Sequence, residues 1–166
     1  MKLFFFKVVL FFSLVSCSNI VFLVDTKDQN NFLKNKTLIN VVGWSNPVLK
    51  DGLYLRLGEA TDKRFILNAT VVEKQTKRSI NENQVAQKID YKISIDYVLN
   101  NILGSCPEIK KSQISSFSFT PKSSGYNFAS DILLQNLYKE EIFNSVDSFI
   151  SFSNNELKSL DCLNED

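Results

Sequence analysis

Lys88-Ile89-Asp90-Tyr91-Lys92-Ile93-Ser94-Ile95-Asp96-Tyr97-Val98-Leu99 alternates between two kinds of side chain along its whole length. Ile89, Tyr91, Ile93, Ile95, Tyr97 and Leu99 fall on one side of an extended chain, and Lys88, Asp90, Lys92, Ser94, Asp96 and Val98 on the other. Successive side chains of a β-strand point to opposite faces, so the stretch reads as a strand with one buried face and one mostly wet face. Its neighbours repeat the pattern more briefly. Phe65 to Val72 puts Phe65, Leu67, Ala69 and Val71 on one face, and Ile114 to Thr120 turns Phe117 and Phe119 inward. Thr37 to Val42 is short, β-branched and apolar, as a buried strand is, and Gly43 ends it. The polar run Glu73 to Asn83 and the segment Asn100 to Ser112, with Gly104 and Pro107, read as connections.

Two helices complete the pattern. Ser45-Asn46-Pro47 resembles a helix start, with a capping side chain ahead of proline in the first turn. Leu49, Leu53 and Leu57 recur at i, i+4 and i+8, and Gly58 suits the C-terminal end. Leu53 to Leu57 also alternates like a strand; the Asn-Pro opening favours the helix. From Phe128 to Phe152, Leu134, Tyr138, Ile142, Val146 and Ile150 form one stripe, with Leu137 and Phe149 beside it. Such a helix is about 37 Å long, enough to cross a sheet. Its polar face carries Lys139, Glu140, Glu141 and Asp147, too little positive charge for a membrane-surface helix. The order strand, helix, strand, strand, strand, helix predicts an α+β two-layer sandwich, a four-stranded mainly antiparallel sheet with two helices on one face.

Composition narrows the function. The 166 residues suit one domain, and 44% hydrophobic with 22% charged residues is an ordinary globular balance. A net charge of +1 lacks the basic excess of a nucleic-acid binder. There is no histidine, which removes the usual general base and the commonest metal ligand. Asp90 with Asp96, and Glu140 with Glu141, read as solvated faces rather than catalytic pairs. The expectation is no enzyme, no cofactor and no metal site.

The N-terminus reads as an address. Lys2 and Lys7 flank the apolar run Val8 to Val15, as in a secretory signal, and the run is short of the roughly 20 apolar residues of a membrane span. A span continued through Ile20 to Val24 is interrupted by Ser16, Cys17, Ser18 and Asn19. Leu14-Val15-Ser16-Cys17 resembles the lipobox of bacterial lipoproteins, in which small residues admit the peptidase and the cysteine thiol takes the lipid. That resemblance implies a signal peptide at 1–16, a lipidated Cys17 and a polar tether at 17–36; several acyl chains anchor firmly where one holds marginally. Loss of Lys2 and Lys7 takes the net charge from +1 to −1. Ser18 resembles the pattern sorted to the outer membrane, on its periplasmic side. Asn35-Lys36-Thr37 and Asn68-Ala69-Thr70 match a glycosylation pattern that means nothing in a bacterial lipoprotein.

Together these features resemble the LPS-assembly lipoprotein (LptE) family over residues 37–152, ahead of a polar tail at 153–166. The local likeness lies in Lys88 to Ile93, in Ser116-Phe117-Ser118-Phe119, and in Ser124-Gly125-Tyr126-Asn127-Phe128-Ala129-Ser130 before the last helix. Ser18 and Asn19 depart from the Gly and Phe usual in the family. The resemblance implies a non-enzymatic partner of an outer-membrane β-barrel (LptD-like) that helps pass lipopolysaccharide to the cell surface. It also implies basic residues near the lipid in the second connection, where Lys77 and Arg78 stand, although charges on a turn are commonly just solvated. The topology brings the end of the last helix back toward the loop of Cys106, so Cys106 and Cys162 are a candidate disulfide, with two unrelated thiols as the alternative. The rival function is another periplasm-facing outer-membrane lipoprotein, a scaffold or binding module of an envelope complex.

Overall fold

Backbone pairing is the frame on which the chain is built. In the computed structural model, which describes residues 31–43, 46–80, 86–104, 106–121, 128–160 and 162, four strands and two helices follow in the expected order. They are β1 (Thr37–Gly43), α1 (Asn46–Leu57), β2 (Phe65–Ile80), β3 (Ala86–Asn101), β4 (Ile109–Phe119) and α2 (Phe128–Ser159). The sheet order is β1-β2-β3-β4, parallel between β1 and β2 and antiparallel elsewhere. A parallel pair needs a crossover, and α1 supplies it. The expected signal peptide, the lipobox-like stretch with Cys17 and the Ser124 to Asn127 link lie outside the described residues.

Both helices cover the same face. Phe65, Leu67, Ala69 and Val71 of β2 and Ile93, Ile95, Tyr97 and Leu99 of β3 meet Leu49, Leu53 and Leu57 of α1 and Ile142, Val146, Phe149, Ile150 and Leu157 of α2 in one core. Each leucine of the α1 triad is fully buried, worth about 1.5–3 kcal/mol apiece. Leu55 stays 65% exposed, which settles the helix against the alternating reading. Gly52 lets α2 approach: a Cβ there sits 3.0 Å from the Phe143 ring.

Polar groups in the core find partners. The Tyr97 ring stacks on Phe149, centroids 4.3 Å apart. Ser145 donates its hydroxyl to Gln113 Oε1 at 2.6 Å, so the Tyr97 hydroxyl donates to Ser145 Oγ at 2.9 Å. Lys111 reaches Ser148 O and Oγ, both at 2.9 Å, and fastens β4 to α2. Ser153 Oγ is the exception: among the described residues it is buried without a hydrogen-bond partner.

Three elements outrun their sequence signals. β2 continues past Val72 through the polar run to Ile80, because β3 pairs with it from Phe65↔Asn101 to Ile80↔Ala86. Ladder pairing with β3 holds this stretch of β2 without an apolar run in its sequence, so polarity did not mark a strand end. β4 begins at Ile109 rather than Ile114, again through ladder pairing, Leu99↔Ile109. α2 runs to Ser159, beyond Phe152 and into the expected tail, because Ser153 and Leu157 continue the buried stripe.

The end of the sheet where β1 and β2 start is tied down repeatedly. Asn35 donates its backbone N–H to Leu57 O at 2.6 Å, and Phe32 N–H reaches Asn154 Oδ1 at 3.1 Å. Gly58 ends α1 at φ +70°, where a Cβ would lie 2.2 Å from Asn35 Oδ1. A disulfide joins Cys106 in the β3–β4 loop to Cys162 after α2, their Cα atoms 5.9 Å apart.

Two stability measurements check this account. Cys106→Ser should lower the unfolding free energy by about 2–4 kcal/mol in denaturant titration, since the bridge closes a long loop. Ser153→Ala should raise it by about 1 kcal/mol by removing an unpaired buried hydroxyl.

Candidate functional site

The helix-free face of the sheet carries the even-numbered residues of β2, β3 and β4, and its register sorts them into rows. Near the ribbon end the rows are Lys74, Lys92 and Ser116; then Thr76, Asp90 and Ser118; then Arg78 and Lys88. These residues line a shallow depression of about 430 Å³. Four cations, three hydroxyls besides and one carboxylate share it.

Asp90 organises the centre. Arg78 Nε forms an ion pair with Asp90 Oδ2, and Ser118 donates its hydroxyl to Asp90 Oδ1 at 2.7 Å. The Ser118 hydrogen bond is the main cause that holds the Asp90 carboxyl below the usual carboxylate value; desolvation opposes it, and the Arg78 and Lys88 charges add to the lowering. Lys74, Lys88 and Lys92 have no carboxylate within ion-pair distance among the described residues. The arrangement is therefore cationic overall, with its guanidinium pre-oriented by one internal anion.

Lys77 and Arg78 are not loop residues. Both lie in β2, opposite Ile89 and Lys88 of β3. Adjacent strand residues face opposite ways, so Arg78 lines the depression while Lys77 stands exposed on the helix side. The structure thus separates the two residues that the sequence reading grouped. Lys74, Lys88 and Lys92 were missed as a site because β2 was expected to stop at Val72. Continuing its alternation through Lys74, Thr76 and Arg78 is the signal that finds them.

The ribbon is braced from behind. On the helix side Tyr91 stacks on Phe117 at 5.0 Å, and Tyr138 of α2 meets Phe117 edge-on at 6.2 Å. The Tyr138 hydroxyl donates to Glu73 Oε2 at 2.5 Å. Burial, and then that carboxylate, push the Tyr138 hydroxyl far above the ordinary tyrosine value. This contact has no local sequence signal, since 65 residues separate its partners.

Among the described residues no group of His, Cys, Asp and Glu is placed to hold a metal ion, and no helix is long and apolar enough to cross a membrane. What the depression offers is charge-assisted hydrogen bonding to an anionic group, phosphate above all.

No family model matches the chain, and no curated protein matches it in sequence. Solved structures do match in fold. Rare lipoprotein B from Shewanella oneidensis is 10% identical with a TM-score of 0.51, over 74% of this chain and 97% of that one. Minor lipoprotein from Acinetobacter baumannii is 7% identical at 0.53, over 74% and 94%. A chain from Caulobacter crescentus CB15, also described as a lipoprotein, is 15% identical at 0.55, over 75% and 90%. The protein thus shares an α+β sandwich fold with bacterial lipoproteins.

Removing the Ser118 hydroxyl should shift Asp90. In a carbon-detected NMR titration the Asp90 midpoint lies below 3.8, the ordinary value, and moves up toward it in Ser118→Ala. Because the folded value is the lowered one, whatever the carboxylate stabilises is present above the ordinary value and is lost as pH falls through the folded midpoint. An unchanged midpoint in Ser118→Ala counts against the hydrogen bond as the main cause.

Proposed function

We propose that the protein is an outer-membrane lipoprotein, held on the periplasmic side through acyl chains on Cys17, that assembles with a β-barrel translocon and helps deliver lipopolysaccharide to the cell surface. The observation that carries the reading is the sandwich fold shared with bacterial lipoproteins over about three quarters of the chain, 74% for rare lipoprotein B. Two further features support it. The lipobox-like Leu14 to Cys17 precedes the domain, and the cationic depression suits the phosphate groups of an anionic glycolipid.

The proposed role is non-enzymatic and needs no cofactor. The domain acts as a rigid wedge: a wet lumen accepts its polar sheet face, and the barrel in turn is shaped around it. Arg78, with Lys74, Lys88 and Lys92, takes the lipopolysaccharide contact, while Lys77 on the other face is left to the barrel wall.

Depletion in the native cell, with labelling of surface glycolipid and assay of barrel assembly, tests the reading. Loss of both is expected; normal levels of both after the protein has gone sink it. Copurification without any barrel protein favours the scaffold or binding-module reading instead. For the site, Lys74→Ala with Arg78→Ala should weaken retention on lipopolysaccharide-coated beads by on the order of tenfold. The binding that remains should fall further with salt.

A further inference from the structure

The sheet end opposite the cationic depression carries an apolar tip. β3 and β4 are joined there by a turn whose Leu103 is 74% exposed and Ile102 44% exposed, and Leu160, two residues before Cys162, is 43% exposed. Exposed leucines on mobile loops mean little, but this turn is held rigidly. Ile102 donates its N–H to Arg64 O at 2.9 Å, and Leu103 donates to Asn101 Oδ1 at 2.8 Å. Gly104 N–H closes on Asn101 O at 3.2 Å, with φ +71° and open space where a Cβ would stand. The Cys106–Cys162 disulfide then pins the turn to the end of α2. Four constraints hold two large apolar side chains out in solvent, an arrangement that costs free energy unless something covers them.

Three observations say what covers them. Asn31, where the described chain begins, is bonded at this same end: its Nδ2 reaches Arg56 O at 3.3 Å, and Asn154 Nδ2 reaches its Oδ1 at 3.4 Å. Cys17 lies fourteen residues before it, so the anchor is at most about 50 Å away even along a fully extended chain. The ribbon end is a further ~43 Å off, thirteen strand residues from Phe65 to Arg78. Beside the tip Arg64 pairs with Asp62 at 2.7 Å and Lys110 with Glu108 at 2.5 Å, which lowers the cost of bringing those four charges to a headgroup layer.

We infer that, in the tethered protein before a barrel takes it up, the disulfide-tied turn Asn101–Gly104 dips into the bilayer leaflet that holds the acyl chains of Cys17, with Ile102 and Leu103 entering the headgroup–acyl boundary. This rests on the lipid-anchor reading of Cys17. Tethering makes so small a contact effective, because a short linker raises the local concentration of the surface to about millimolar. The consequence is orientation: the domain stands end-on, with the cationic depression held away from the membrane.

The test places a tryptophan at each end of the mature full-length protein, in a Trp44→Phe background that removes the single native indole. Leu103→Trp and Thr76→Trp variants are bound to phosphatidylethanolamine–phosphatidylglycerol vesicles, with and without brominated acyl chains, and flotation is read alongside fluorescence. At Leu103→Trp the emission should shift to the blue and lose about half its intensity to the brominated lipid, as for a side chain ~5–10 Å into the boundary. Thr76→Trp should show neither change. Equal emission in both lipids at Leu103→Trp, from protein that floats with the vesicles, overturns the dipping turn and leaves the anchor standing. Quenching at both positions overturns the end-on orientation and with it the inference. Protein that stays at the bottom of the gradient overturns the anchor reading, and the turn contact falls with it.

Discussion

The antiparallel pairing of β2 with β3 is the constraint from which the rest follows. It runs unbroken in the register Phe65↔Asn101 through Arg78↔Lys88 and closes at Ile80↔Ala86. One ladder therefore serves two environments. In its first half the alternating side chains bury Leu67, Ala69 and Val71 against Ile95, Tyr97 and Leu99 under two helices. In its second half β1 and α1 have ended, the same period of two has no apolar cover on β2, and the side chains become Lys74, Thr76 and Arg78. Core and cationic site are consecutive stretches of one hydrogen-bonded ribbon.

That continuity explains why the exposed half is ordered enough to be a site. Isolated two-stranded ribbons are marginal in water. Here β4 adds a third strand as far as Ile89↔Phe119, and the Tyr91–Phe117–Tyr138 aromatic group with Glu73 props the helix side. On the open side the Arg78–Asp90 pair contributes little stability, as exposed ion pairs do. Its effect is positional: it spends one guanidinium on fixing the geometry and leaves three ammonium groups beside it.

The opposite end of the sheet is closed by a different kind of bond. Asn35, Gly58 and Asn154 stitch the entering chain to the ends of both helices, and the disulfide fastens the β3–β4 turn to the end of α2. The molecule is thus polarised along its strands, tied and apolar-tipped where the chain enters and cationic at the ribbon. Under the proposed anchor at Cys17 such polarity would have a use, since a tether at one end selects which end meets the membrane.

Alternation in Lys88 to Leu99, the leucine spacing of Leu49 to Leu57 and the stripe of Ile142 to Ile150 determined the strand, the helices and the layer order by themselves, because each records a face turned from water. Those signals stop where burial stops. The polar half of β2, the early start of β4 and the pairing of Tyr138 with Glu73 are set by backbone ladders and by contacts between distant residues, which leave no local periodicity. So the sequence alone marked Arg78 and Lys77 as basic neighbours. Only the tertiary structure decided that the strand pleat turns them to opposite faces and that Lys74, Lys88 and Lys92, drawn from two strands, belong beside Arg78.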